Sequence, residues 1–475
     1  MAARPDTAGA LRAVRERLEV RSPYDGSVVG EAAVPSEAAV DAALDAAAAA
    51  APLVAAMPAW ERSERLLAAS ARIGERVEEL ARTISLEAGK PIREARGEAT
   101  RAMYVFRWAG EQAKRMEGRW LPFDTEPGLG NRAGLLQRFP IGPVLAITPF
   151  NFPLNLVAHK VAPALAAGNP VLVKPASQTP LSALALAALV AEDDWPDGAI
   201  GVLAVGGQRA SRIAADPRVR GITFTGSDAV GWPLKAANAR KKVTLELGGN
   251  AAVLVEPDAD VELAADRLTF GAFAYAGQVC ISAQRILVAR AVADDFLDAF
   301  VARARRLRPG DPLQESTEMP PMISAAEVAR VAEWVGEARA GGADVLLGGD
   351  GYGRFHEATV IENVPHGARC WREEVFGPVA CIDRYDDLAE GIRLANATRY
   401  GLQAAIFTRD LGAAMAAFAS IEAGAVVVNE APFFRAVQQP YGGVRDSGSG
   451  REGVSFAMEE MTEPRLLVVP APAAL

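Results

Sequence analysis

Four short segments of this 475-residue chain set reactive or hydrogen-bonding side chains into rigid or glycine-flanked turns. In Gly277–Gln278–Val279–Cys280 a thiol follows a small-residue stretch and precedes an apolar run. A cysteine in such a turn is reachable, and its thiolate is a strong nucleophile whose pKa nearby N–H groups can lower. The opposing reading is that most cysteines are small buried hydrophobes. Glu246–Leu247–Gly248–Gly249–Asn250 puts a carboxylate at the end of an apolar run, which suits a general base for water and equally a surface acid beside a glycine turn. Thr148–Pro149–Phe150–Asn151–Phe152–Pro153 pins an asparagine between two prolines. An amide fixed that way donates to a developing oxyanion or makes a local turn hydrogen bond. Phe224–Thr225–Gly226–Ser227 runs through a glycine into a helix start, where N–H groups and a hydroxyl can hold a pyrophosphate. No intact G-x-G-x-x-G fingerprint accompanies it, and Gly206–Gly207 is a partial echo.

The elements that must position these residues follow from hydrophobic periodicity. Helical spacing predicts helices over Glu61 to Glu87, ended by Gly89–Lys90–Pro91, and over Glu94 to Met116. From Ile141 onward, short apolar runs (Val144 to Thr148, Val171 to Lys174, Gly201 to Val205, Gly221 to Thr225, Val243 to Leu247) alternate with helical segments. Strands separated by helices imply right-handed parallel crossovers and a doubly wound sheet. The alternation resumes after Gly248–Gly249 with Val253 to Val255, Ile286 to Val288, Val379 to Ile382, Ala404 to Phe407 and Ala425 to Val428, so a second α/β unit begins near Gly248. A ligand crevice is expected where strand ends meet at this boundary. Arg132 to Phe139 and Arg465 to Val469 stand apart as marginal strands, expected to pair with each other or with a second subunit.

Composition removes several classes. The length calls for two major domains. A formal net charge of −9 argues against a nucleic-acid binder. Three cysteines do not make a disulfide framework and fit a reduced, cytoplasmic setting, with Cys381 in an apolar run and Cys370 in a loop. The three histidines lack metal-ligand spacing, so no metal is expected. Met1 to Val20 has no apolar core of a secretory leader, and the Ala-rich stretch from Ala38 to Met57 is too weakly hydrophobic for a bilayer and reads as a packed helix.

In order and spacing the segments resemble the aldehyde dehydrogenase superfamily, from about Ser22 to Arg465. The likeness rests on Pro149-Phe-Asn-Phe-Pro153, Lys174-Pro-Ala-Ser177, Phe224-Thr-Gly-Ser227, Glu246-Leu-Gly-Gly-Asn250, Gly277-Gln-Val-Cys280, Glu373-Glu-Val-Phe-Gly-Pro378 and Pro440-Tyr-Gly-Gly-Val444. The resemblance implies an α/β fold: a Rossmann-like cofactor domain (1–118 and 141–247), an α/β catalytic domain (248–461) and a small β oligomerisation arm (119–140 and 462–475). It implies Cys280 as the nucleophile, Asn151 with the Cys280 amide as the oxyanion hole, and Glu246 as the base that hydrolyses the thioester. For NAD or NADP it implies Lys174 and Ser177 at the adenosine ribose, Gly226 and Ser227 at the pyrophosphate, Glu374 and Phe376 at the nicotinamide end, and Thr148 and Phe150 in the same cleft. Homodimers or homotetramers are usual in the family.

One position separates members of the family. Many NAD-preferring members carry Glu where Ser177 stands; Ser leaves no charge to repel a 2′-phosphate, so NADP acceptance is expected. The resemblance places Phe152, His159, Arg435 and Tyr441 along the substrate tunnel, and the texture of Ala431 to Arg445 is most like lactaldehyde, sulfolactaldehyde and phosphonoacetaldehyde dehydrogenases. A small, polar or anionic aldehyde is therefore expected, unless Arg435 instead pairs with a nearby carboxylate. Competing readings are a CoA-acylating enzyme, which Glu246 argues against, a reductase of an activated acyl group, and a catalytically silent binding protein on the same fold.

Overall fold

The computed structural model describes residues 16–470. The outermost parts of the expected cofactor domain (1–15) and arm (471–475), and most of the stretch read for a leader, lie outside the described residues.

Two parallel sheets dominate. The first has six strands in the order Gly448–Ser449, Lys242–Glu246, Gly221–Thr225, Val144–Ile147, Val171–Lys174 and Ile200–Val202, all parallel except the Gly448–Ser449 edge. The chain leaves Val144–Ile147 toward Val171–Lys174 on one side and returns to Gly221–Thr225 on the other. Loops after Ile147 and Thr225 thus open in opposite directions and leave a crevice between them. The second sheet has seven strands, Asp344–Leu347, Thr359–Glu362, Val379–Tyr385, Arg285–Ala289, Ala252–Val255, Ala404–Phe407 and Val426–Val428, with Asp344–Leu347 antiparallel. Arg132–Pro140 pairs with Thr462–Pro470 on one side and Arg119–Pro122 on the other, so the two marginal strands partner each other.

The long helical run predicted from Glu61 to Glu87 is two helices, Ala59–Glu75 and Val77–Ala88, broken at Arg76. Gly89, in the left-handed region at φ 70°, closes the second. A hairpin, Glu16–Arg21 with Val28–Val34, precedes helices the sequence read as the start of the domain. Helix Glu37–Ala56 is the one among the described residues long and apolar enough to cross a membrane; it buries Val40, Leu44, Ala47, Ala50 and Val54. Those five side chains join the core clusters around the first sheet.

The parallel strands before Gly248 lie in the first sheet and those after it in the second, while the tail of the chain returns to the first. Residues 448–449 add an edge to the first sheet, and Val454 and Met458 of helix Val454–Glu460 share a core with helix Asn155–Ala166. Helix patterning could not reveal this, because a strand of two residues has no readable period. Cys370 also differs from expectation: it is fully buried in the short helix Arg369–Arg372, and its carbonyl accepts from Cys381 Sγ at 3.3 Å.

Candidate active site

Cys280 sits five residues before strand Arg285–Ala289, behind an unusual turn. Helix Val261–Phe273 ends, and Tyr275, Ala276 and Gly277 follow with φ 48°, 52° and 67°. Two successive non-glycine residues in the left-handed region are strained, and surrounding contacts must hold them there. Tyr275 donates its hydroxyl to the Ala88 carbonyl and lies 4.8 Å below the Lys90 ammonium. At Gly277 a Cβ would collide with the Gly377 carbonyl oxygen, so the cysteine turn and the Glu373–Pro378 segment approach as only glycine allows. At Gly249 a Cβ would collide with the Cys280 carbonyl oxygen. The motif glycines thus bring three distant segments into contact.

The Asn151 loop is fixed from below. Glu98 on helix Ile92–Ala113 accepts from the amides of Leu154 and Asn155 at 3.0 and 3.1 Å, capping helix Asn155–Ala166, and forms a buried ion pair with Lys90. Lys90 in turn stands 3.5 Å over the Phe152 ring. Asn151 Nδ2 donates to the Gln278 carbonyl at 2.9 Å, which ties the loop to the cysteine turn and leaves its second N–H to donate elsewhere. Among the described residues nothing accepts from the Cys280 amide.

A cavity of about 350 Å³ runs past Cys280. At one end its walls are Thr225, Gly226, Ser227, Glu374 and Phe376; at the other they are Phe152, Phe433, Arg101, Arg435 and Tyr441, with Asn151 and Glu246 between. Glu246 is buried and neither carboxylate oxygen has a partner. Burial, then the charge of Glu452, raises its pKa well above the usual carboxylate range. The Cys280 thiol opens on the cavity but has protein on most sides, and this burial pushes it up to about 12. Its Sγ lies 3.0 Å from Tyr441 Oη.

The first end fits a dinucleotide. Ser227 begins helix Asp228–Ala237 without a side-chain cap, so that N-terminus can take an anion. The Thr225 hydroxyl is buried without a partner. Glu374 accepts from the Gly249 amide at 2.9 Å through one oxygen and leaves the other for a hydroxyl; burial brings it to about 7. Phe376, at φ 48°, meets Phe150 edge to face at 5.8 Å. The Gly226 amide is spent on the Glu246 carbonyl at 3.1 Å, and the Ala229, Val230 and Gly231 amides are taken within the turn, so the Ser227 amide and hydroxyl and the Asp228 amide are the available donors. Thr148, Lys174 and Ser177 do not line the cavity; they follow or end the neighbouring strands Val144–Ile147 and Val171–Lys174, with Ser177 exposed and Lys174 half-buried.

At the other end the structure answers the question left open for Arg435. Its Nη2 donates to Glu452 Oε2 at 2.8 Å, and Lys160 Nζ lies 2.6 Å from the other oxygen. Burial alone would raise Glu452, but Lys160 and Arg435 outweigh it and hold the carboxyl well below its usual range. His159 lies behind Arg435, 3.5 Å from Nη2, and does not reach the cavity wall; burial first, then the guanidinium, keeps it neutral. Glu452 and Arg101 escaped the sequence reading. Arg101 faces the cavity with no ion-pair partner among the described residues, and burial, then Arg435, lower it to about 10. The signal for Arg101 was its place one turn after Glu98, readable only once Glu98 was known to face inward.

The Aldehyde dehydrogenase family profile matches residues 11–467. The chain belongs to the aldehyde dehydrogenase family. It is an NAD(P)-dependent oxidoreductase of that class, and the aldehyde dehydrogenase fold is the one its sheets form. It is 42% identical over 462 residues to the 3-sulfolactaldehyde dehydrogenase of Priestia aryabhattai, covering 97% of this chain and 96% of that protein. Aldehyde dehydrogenase 21 from Physcomitrella patens, solved with the reaction product succinate, superposes with TM-score 0.95 at 43% identity over 98% of this chain and 97% of that one. Glyceraldehyde-3-phosphate dehydrogenase GapN from Methanocaldococcus jannaschii, solved with NADP, gives TM-score 0.92 at 37% identity over 96% and 100%.

Proposed function

We propose that this aldehyde dehydrogenase oxidises a small anionic aldehyde to its carboxylic acid with NADP or NAD, through a thiohemiacetal and a thioester on Cys280. The observation that carries the reading is the single cavity joining a dinucleotide-fitting end, a thiol flanked by unspent N–H donors, an unpartnered carboxylate and a cationic far end. The ionised Cys280 sulfur attacks the carbonyl carbon; the S–C bond forms and the carbonyl pair moves to oxygen. The second N–H of Asn151 and the Cys280 amide are the donors for that oxygen. A dinucleotide held by Thr225, Ser227, Glu374 and Phe376 would supply the acceptor for the hydride that leaves the thiohemiacetal carbon. Glu246 takes a proton from water, the C–O bond forms, the C–S bond breaks and the sulfur leaves as thiolate. A buried carboxylate free of partners suits that base and favours water over CoA as the acyl acceptor.

The substrate's anion is matched by Arg101, whose charge no carboxylate neutralises, whereas Arg435 is already paired. The relatives named for 3-sulfolactaldehyde and solved with succinate support an acid group on the aldehyde. Ser177 brings no negative charge beside Lys174, and the neighbour solved with NADP supports acceptance of that cofactor. The edge strand Thr462–Pro470, with Leu466, Leu467 and Val468 exposed, supports a homo-oligomer built through the arm. The sparse, free cysteines support a cytoplasmic setting.

The test is reduced-nicotinamide absorbance with NAD and NADP crossed against 3-sulfolactaldehyde, succinic semialdehyde, lactaldehyde and propanal. We expect NADP turnover and a kcat/KM about 10- to 100-fold higher for the anionic pair than for propanal, the worth of one charge-assisted contact. Preference for propanal would refute the substrate half of the reading, and turnover with NAD but none with NADP would refute the acceptance of NADP.

A further inference from the structure

Tyr441 and Arg435 line the substrate end, yet their contacts run back to the sulfur. Tyr441 Oη, at 3.0 Å, is the one hydrogen-bond partner of Cys280 Sγ among the described residues. The phenol is buried, and its backbone is tied to Glu452 by two hydrogen bonds, Tyr441 N to Glu452 O at 3.0 Å and Glu452 N to Tyr441 O at 2.6 Å. The Arg435 guanidinium stands 3.8 Å over the Tyr441 ring and is held there by Glu452 Oε2. The ring cannot swing away without displacing a cation that Glu452 anchors.

We propose that Tyr441 is a donor to the Cys280 thiolate, its hydroxyl proton directed at Sγ in the two states where sulfur is charged, and that Arg435 is the residue that positions it. The two states are the thiolate before attack and the thiolate that leaves as the thioester is hydrolysed. The proton stays bonded to the phenol oxygen throughout, because burial raises the pKa of Tyr441 well above that of an ordinary phenol. No other reactant is needed to balance either step. The proposal rests on the reading of Cys280 as nucleophile.

Magnitudes favour the arrangement. The groups that act electrostatically on the sulfur are Tyr441, Glu374, Arg435 and Glu246, and burial dominates them in pushing the thiol to about 12. One charge-assisted hydrogen bond raises the thiolate fraction about 10- to 100-fold. The accompanying loss of nucleophilicity follows only about the 0.4–0.5 power of that change, so a gain of roughly three- to tenfold remains.

The experiment is alkylation of Cys280 by iodoacetamide across pH, without added cofactor, read by peptide mass with buried Cys370 and Cys381 as silent references. Tyr441→Phe is expected to raise the thiol's apparent pKa by about one to two units and slow alkylation at pH 7 several-fold. Arg435→Gln is expected to move it less, in the same direction. Replacing Tyr441 by 3-fluorotyrosine, a stronger donor of nearly the same shape, should lower the pKa, a reversal that a packing role would not produce. A Tyr441→Phe profile that superposes on the parent, or a fluorotyrosine protein that does not shift, overturns the proposal. Alkylation reads the sulfur alone, so this failure leaves aldehyde turnover standing; turnover that persists in Cys280→Ala would instead remove the reading beneath it.

Discussion

Two acidic corners of the same cavity are built in opposite ways. At one, Glu246 is buried with both oxygens unpartnered, and burial holds its pKa well above the usual carboxylate range. At the other, Glu452 is equally buried but lies between Lys160 and Arg435, which keep it ionised. The same side chain in the same cavity is thus a group that can exchange a proton in one corner and a fixed anchor in the other. Environment, rather than residue type, assigns the role.

Breaking the first corner should have the largest effect on rate. Glu246→Gln is expected to lower kcat by roughly 100- to 10,000-fold, the usual share of a general base, while leaving the first turnover's burst of reduced cofactor visible. Steady-state and rapid-mixing absorbance together check this. Breaking the second corner should show in stability instead. Glu452→Gln leaves Lys160 and Arg435 facing each other without an anion, expected to cost about 3–5 kcal/mol in denaturant unfolding.

A smaller effect separates the two arginines. Arg101→Leu should raise KM for succinic semialdehyde about 10- to 100-fold and leave that for propanal nearly unchanged. Arg435→Leu should depress both substrates alike, since its charge serves Glu452. Equal responses to Arg101→Leu would remove Arg101 from anion recognition. The gentlest probe is pH: Cys280 and Glu246 both have raised pKa values and both act deprotonated, so kcat/KM, through Cys280, and kcat, through Glu246, should each climb with pH above neutrality by at most about tenfold per unit. A profile that falls over that range would contradict thiolate and carboxylate as the acting forms of the two residues.

Much of the molecule was legible beforehand. Strand and helix alternation located both parallel sheets, and the glycine- and proline-flanked segments named Cys280, Glu246 and Asn151, which the structure gathers at one cavity. Arg435 was legible as a cation near the substrate but not as the partner of Glu452, because an ion pair spanning 17 residues of irregular chain, broken by a helical turn and a two-residue strand, has no sequence period. Arg101 and Glu98 hid in an ordinary amphipathic helix, where charged residues are usually solvent-facing. His159 was placed in the tunnel by resemblance; the interposed Arg435 keeps it out. The tail that returns to the first sheet depends on a two-residue strand, below any readable pattern.

Passage of the acyl group through Cys280, and its release by Glu246, can be read from intact and peptide mass of the Glu246→Gln protein after mixing with NADP and succinic semialdehyde. A succinyl thioester on Cys280 that forms within the burst and decays slowly is the expected result. A burst of reduced cofactor with no adduct on Cys280 would contradict the covalent route.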